Sequence, residues 1–385
     1  MSLGKSRKSL ENETAMAAVL KKHGIDEAEL PNIVKVISSQ SQALIKNDAG
    51  EPEIVDMEHT KVILSPSWEA GPQWPLIQQA KPTVIKPLKA KMPARTKGEW
   101  HQAVILPDPQ IGFREFDGEL DPFHDERALS VALQVMAYLE EDGGVDLVVN
   151  LGDFLDLPAQ GKYEQEAAFQ RTTQPAIDRG HEFLAEQRAN CPDAKIVVLE
   201  GNHDRRMQKF VQANALSAFG LKQANIPESW PVMSLPFLLR LDELDIEYTD
   251  GWPAASFWIN DKLRAIHGDK VRSNGSTAAA YTNDMPHIST VFGHIHRQEI
   301  QSKTTFDRAG KIKVMAISPG CLCRVDGAVP SVKGAVGIDG KPVTYYENWQ
   351  QGVAVVTYKP EGSFHVELVH IDDGKTMFRG QEFQA

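Results

Sequence analysis

From Trp100 onward the chain alternates short apolar runs with longer helical stretches, and that alternation limits it to an α/β architecture. The clearest runs are residues 103–106 (AVIL), 145–149 (VDLVV) and 196–199 (IVVL). Short apolar runs bounded by turn residues read as buried, largely parallel strands. Helices are predicted over 125–141, 163–188 and 205–217, so the order strand–helix–strand implies βαβ units. Later strands, over 256–260, 263–267, 312–317, 353–358 and 364–369, come with short connections. They point to a second, more antiparallel sheet. The expected fold is α/β, a four-layer αββα sandwich of two mixed β-sheets with helices outside, spanning 99–385.

The first 98 residues have a different character. Residues 12–23 and 30–46 read as two short helices, with Gly24 as a stop signal and Pro31 near the start of the second. An N-terminal helical accessory region over 1–70 is therefore expected, either part of a helix-turn-helix or a hairpin that packs elsewhere. Residues 71–98 hold Pro72, Pro75, Pro82, Pro87 and Pro93 with six cations and no acid. Such a segment forms neither a regular helix nor a central strand. It reads as a basic linker, either simply solvated or tracking phosphates.

Composition narrows the class. The 385 residues are 42% hydrophobic and 24% charged, as in an ordinary globular protein. No apolar stretch approaches the ~18 residues that span a bilayer, so no membrane association is expected. Three cysteines, Cys191, Cys321 and Cys323, are too few and too odd for a disulfide framework, and the cytoplasm is the expected compartment. The net charge of −11 argues against a protein that coats nucleic acid with its whole surface. Residues 1–98 carry 14 Lys+Arg against 11 Asp+Glu, whereas the remainder carries 27 against 41.

Five short segments, each after an apolar run, present metal-binding side chains. They are Asp108-Pro-Gln110, Gly152-Asp153 with Asp156, Gly201-Asn202-His203-Asp204, His267-Gly-Asp269, and Gly293-His294-Ile-His296. Ligands collect at the carboxyl ends of strands in open α/β sheets, so five strand-end loops converge if the sheets form as expected. Each segment alone is a common turn; their order and shared chemistry make the signal.

The ordered set resembles the motifs of calcineurin-like metallophosphoesterases, written D-x-H, G-D-x-x-D, G-N-H-D/E, H and G-H-x-H, over about three-quarters of the chain. The resemblance implies a binuclear metal-dependent phosphoester hydrolase. One metal would take Asp108, Gln110, Asp153 and His296. The other would take Asp153, Asn202, His267 and His294, with Asp153 bridging. Two close divalent ions need an anionic bridge and together clamp a displacement at phosphorus. Nitrogen and oxygen ligands without thiolate suit Mn²⁺, Fe or Zn²⁺. The resemblance also implies that His203 faces the substrate as a catalytic group. Asp204 is expected to orient its ring, and Asp156 and Asp269 to support ligands or only shape turns. Arg205, Arg206, Lys270 and Arg272 are candidates for substrate phosphate.

Gln110 departs from the family, which usually has His there. Its neutral amide is a weaker donor, so a loosely held Mn²⁺ is the preferred ion; the same Asp-x-Gln variation occurs in active branches resembling Mn²⁺-dependent ADP-ribose/CDP-alcohol pyrophosphatases. Protein phosphatases resemble the chain least, because Leu157-Pro158 stands where they carry Arg-Gly. The layout also resembles phage-encoded members. The expected substrate is a phosphodiester in nucleic acid, making the protein a nuclease. The alternatives are a hydrolase of small nucleotides, including ADP-ribose-like and cyclic ones, a phosphomonoesterase, or a non-catalytic scaffold. Softer features are the segment 325–352, with Tyr345, Tyr346 and Trp349 either stacking a base or forming an edge insertion, and Cys321-Leu-Cys323, either a metal site or a buried strand end.

Overall fold

The computed structural model describes residues 33–46, 52–64, 99–161, 165–308, 310–330, 337 and 343–385, with Lys21 and Gly24. The chain divides into two units, Met1–Thr83 and Val84–Ala385. In the first, β1 (Ile33–Lys46) and β2 (Pro52–Leu64) form an antiparallel hairpin running from Lys46 opposite Pro52 to Ile33 opposite Leu64. This corrects the helix predicted over 30–46. The segment is rich in β-branched residues (Ile33, Val34, Val36, Ile37, Ile45), which lose rotamer freedom in a helix and suit strands. The following Asn47-Asp48-Ala49-Gly50 is turn-forming in composition. A helix-turn-helix built on this segment falls with it. Of the helix expected over 12–23 only Lys21 is described, and it is helical; the rest, and the linker 71–98, lie outside the described residues.

The second unit opens with β3 (His101–Leu106), a small hairpin of β4 (Phe113–Phe116) and β5 (Glu119–Pro122), helix α1 (Glu126–Glu141) and β6 (Leu147–Asn150). Helix α2 (Thr173–Asn190), β7 (Lys195–Leu199), α3 (Arg205–Asn214), a single turn α4 (Leu235–Leu238) and β8 (Ile246–Thr249) follow. Next come β9 (Ser256–Trp258), β10 (Leu263–Ile266), α5 (Thr277–Asp284), β11 (Ser289–Phe292), β12 (Gln298–Asp307) and β13 (Gly310–Pro319). The chain closes with β14 (Gln351–Tyr358), β15 (Phe364–Ile371), β16 (Lys375–Phe378) and β17 (Gln381–Gln384).

A six-stranded sheet has the order β15-β14-β3-β6-β7-β8, with β3, β6, β7 and β8 parallel. A five-stranded sheet has the order β12-β13-β11-β10-β9, parallel through β10, β11 and β13 and antiparallel at both edges. Both sheets are therefore mixed. The expectation that all late strands build the second sheet is overturned for β14 and β15. Ala354 pairs with Ile105 across β14 and β3, so the last long strands extend the first sheet instead.

Alternation on the strands sorts the core. Val104, Leu106, Val148, Ile196 and Val198 join the apolar stripe of α1 and α2 in one cluster, with Leu129, Met136, Leu139 and Phe183 fully buried. Their neighbours Ala103, Ile105, Val149, Val197 and Leu199 share a second cluster with Leu263, Ala265, Val291 and Ile317 of the other sheet. Ile266, Phe292 and Ala316 meet Ala278 and Tyr281 of α5 in a third. Helix α1 starts cleanly because the Asp125 carboxylate accepts the Arg127 amide at 3.0 Å. Among the described residues no helix is long and apolar enough to cross a membrane.

Candidate metal centre

Every expected ligand sits just beyond the carboxyl end of a parallel strand: Asp108 and Gln110 after β3, Asp153 after β6, Asn202 after β7, His267 after β10, and His294 and His296 after β11. Five of these seven hold a left-handed backbone: Asp108 (φ 40°), Gln110 (50°), Asp153 (46°), His294 (71°) and His296 (55°). Such conformations cost of order 1–3 kcal/mol each in a non-glycine residue and gather where function requires them. Gly201 and Gly293 let the loops close. A Cβ on Gly201 would collide with the amide nitrogen and Oδ1 of Asp153, and one on Gly293 with Oδ2 of Asp108. Gly201→Ala is expected to lose about 3 kcal/mol or more of stability, because backbone and a ligand carboxylate must both shift. Thermal unfolding of the metal-free protein would check this.

Asp153 lies at the middle of the cluster and is 1% exposed. On one side its Oδ2 is 3.1 Å from Gln110 Nε2, which is 3.4 Å from His296 Nε2; His296 Nε2 is in turn 3.4 Å from Asp108 Oδ1. On the other side Asp153 Oδ1 is 3.3 Å from His267 Nε2. Asn202 Oδ1 and His294 Nδ1 approach that same nitrogen at 3.0 and 3.2 Å. His267 Nδ1 faces the Leu151 carbonyl at 3.0 Å and donates its proton there. That bond leaves Nε2 to point a lone pair at three other lone-pair bearers, an arrangement that needs a proton or a cation at its centre. Asp108, Asp153 and His296 each place a ligand atom within 4.8 Å of the others, and so do Asp153, His267 and His294; either trio could hold a metal ion.

The electrostatics of the cluster follow from its burial and its opposed charges. Burial works against charge on Asp153, yet His203, His267 and His294 hold its carboxyl well below the usual range. Burial likewise opposes charge on His267, but Asp153, Asp108 and Asp204 push it up to about 9. Burial and the charge on His267 push His294 down to about 4. Two observations test the fit. Gln110 Oε1 is buried with no hydrogen-bond partner, and exchanging the two ends of the amide turns that oxygen toward Asp153 and His296. The donor set is nitrogen and oxygen only, which fits Mn²⁺, Fe or Zn²⁺.

His203 stands beside the cluster, its Nε2 3.7 Å from Asp153 Oδ2 and its backbone amide donating to Asp153 Oδ1 at 2.8 Å. Asp156, not Asp204, holds its ring: His203 Nδ1 bonds closely to Asp156 Oδ1. Asp204 instead turns back and accepts the amides of Phe154, Leu155 and Gly201 at 3.2, 3.0 and 2.9 Å, which shapes the loop that carries Asp153. Burial and the Asp153 charge push the Asp204 carboxyl up to about 7. Arg206 is buried with its guanidinium on Asp156 (2.9 Å to Oδ1) and His203 (3.1 Å to Nε2), so it fixes that pair. Arg205 pairs with Glu200 at 3.2 Å and leaves the site. Lys270 pairs with Asp284, and the Asp269 carboxylate accepts from the Tyr281 hydroxyl at 3.3 Å. Sequence spacing could not reveal Arg206 as a positioning group; its place four residues beyond Asn202, on the first turn of α3, is the one signal available.

No protein-family model matches the chain, and no curated protein matches it. Among solved structures, that of Vps29 from Chaetomium thermophilum is similar at 9% identity, covering 70% of this chain and 93% of that one, with a TM-score of 0.24. At that score the likeness decides nothing about fold or chemistry.

Cys323 lies behind the centre, its sulfur 3.6 Å from His296 Nδ1, and Cys321 is close by; both are free and buried. The Trp349 ring packs edge-on against His296 at 4.3 Å and lines a cleft with Tyr346; none of the seven candidate ligands is among the described residues that line it. A different groove, of about 780 Å³, does contain ligands in its wall, namely Asn202 and His294.

Proposed function

We propose that the chain is a two-metal phosphoester hydrolase acting on phosphodiester bonds, built on the αββα sandwich of calcineurin-like metallophosphoesterases. The observation that carries this is Asp153, a buried carboxylate whose two oxygens face two separate sets of side chains that could hold a metal ion. Asp108, Gln110, Asp153 and His296 would hold one ion, and Asp153, Asn202, His267 and His294 the other. Mn²⁺ is the preferred ion, since the amide oxygen of Gln110 suits a hard, exchangeable cation. When bound, such a pair supplies Lewis acidity to a phosphoryl group and a nucleophilic water near neutral pH. The layering is supported by the apolar cluster shared between the sheets and by helices on their other faces.

His203 then has a defined task. With Nδ1 on Asp156, its Nε2 is aimed at the region beside Asp153, where it holds or gives a proton to the departing oxygen. The Arg206 guanidinium lies 3.1 Å from that Nε2 and donates to it only while the nitrogen is unprotonated, so it yields to the departing oxygen when His203 carries the proton. A scaffold that had abandoned catalysis would have little reason to keep seven ligands and a held histidine together. The proposed compartment is the cytoplasm. A nuclease is the polynucleotide form of this proposal. Its sequence grounds are now thinner, since residues 33–46 are a strand and the basic segment 71–98 lies outside the described residues.

The test uses the Mn²⁺-loaded protein with bis(p-nitrophenyl) phosphate and with end-labelled single- and double-stranded DNA. Hydrolysis of the chromogenic diester is expected, abolished by chelation and restored by Mn²⁺. Absence of hydrolysis of any of these substrates with Mn²⁺, Fe²⁺ or Zn²⁺ would defeat the proposal.

A further inference from the structure

We infer that the groove beside the metal centre is a nucleoside-binding subsite, which holds the base of a phosphoester while its phosphate sits at the metals. This rests on the proposed hydrolytic function and names its substrate class. One face of α3 makes a wall of the groove: Arg206, Lys209, Phe210, Ala213 and Asn214 recur at spacings of three and four residues. The opposite wall comes from Trp252, Asp269 and His294, in loops at the carboxyl ends of β8, β10 and β11. Because Asn202 and His294 belong both to the metal cluster and to this groove, the substituent on a metal-held phosphate has the groove as its neighbour.

Two aromatic rings suit this groove to a planar group. Phe210, in the wall of the groove, leaves 40% of its surface exposed. Trp252 is fixed as a platform: its indole N–H donates to the Gly268 carbonyl at 2.9 Å, and its backbone amide donates to Glu200 at 2.9 Å. Lys209 stands 5.4 Å from the centre of the Trp252 ring. Bases stack on aromatic side chains whatever their identity, and the groove volume of about 780 Å³ lies within the ~300–1,000 Å³ of clefts that enclose drug-sized ligands. Charge argues against a track for a long phosphate backbone. The cations in the wall are Arg206, already tied to Asp156, and Lys209, and Asp269 faces them as an acid. A single nucleoside unit fits, either as a free nucleotide or as the end of a chain.

Calorimetric titration of the Mn²⁺-loaded protein with inorganic phosphate, ribose 5-phosphate and AMP tests this. AMP is expected to bind ~10-fold or more tightly than ribose 5-phosphate. Phe210→Ala, at an exposed position that should not disturb folding, is expected to remove most of that advantage and leave phosphate affinity unchanged. Equal affinity for AMP and ribose 5-phosphate, with phosphate still bound, would overturn the base subsite and spare the metal centre. Failure of phosphate to bind, together with no diester hydrolysis, would remove both. Displacement of labelled AMP by a dinucleoside pyrophosphate alone identifies free nucleotides as the source. Displacement by a 5′-phosphorylated oligonucleotide as well identifies chain ends, and displacement by neither overturns the proposal.

Discussion

Asp153→Asn is expected to leave the protein unable to hold either metal ion and to lower phosphodiester hydrolysis by roughly a thousandfold or more. The reason is topological as well as electrostatic. Asp153 is the one residue common to the Asp108/His296 and His267/His294 trios, and its carboxylate is the anion placed between them. An asparagine offers one neutral oxygen, so at most one ion keeps a weak ligand while the repulsion between two ions is no longer offset. The backbone should survive, because the His203 amide can still donate to the remaining oxygen. Two measurements separate loss of metal from loss of fold. Metal content after loading and desalting should fall from about two Mn²⁺ per chain to near zero. In thermal unfolding, Mn²⁺ at about 100 times its dissociation constant should stabilise the wild type by about 2.7 kcal/mol and leave the variant unmoved. A variant that kept both ions would sink the bridging assignment.

His203→Ala is expected to lower kcat by ~10²–10⁴ with both metals retained, the range for removal of a positioned acid or base. Asp156→Asn should cost part of that, since the amide supports the ring without favouring its charged form. Arg206 keeps the Asp156 backbone carbonyl at 2.6 Å, so its guanidinium is not stranded by the change. Because Asp156 acts through His203, the double variant should be no slower than His203→Ala alone. If the two losses multiply, Asp156 has an independent role and the pairing is wrong.

Local chemistry carried most of the site. Each candidate ligand follows a short apolar run that reads as a buried strand, and Gly152 and Gly293 stand beside Asp153 and His294 in their tight turns, whereas Asp108 turns between two prolines. Those signals lie within a few residues of one another, so they can be read along the chain. The strand-end placement of the seven candidate ligands, the α/β class and the helices near 126–141 and 205–214 belong to that group.

Three things depended on pairing across long stretches of chain. The sequence places Asp204 next to His203, and adjacency suggested a partnership. Folding turns Asp204 into the loop of residues 153–155 and brings Asp156 to the ring from 47 residues away. Strands β14 and β15 could have extended either sheet on their own pattern; the register of Ala354 against Ile105 chose the first. Residues 33–46 carry apolar spacing compatible with a helix, and only the partner strand at 52–64 satisfied their backbone as a ladder. In each case the residues fix what a segment can do, and the free energy of burying it against a distant partner decides what it does.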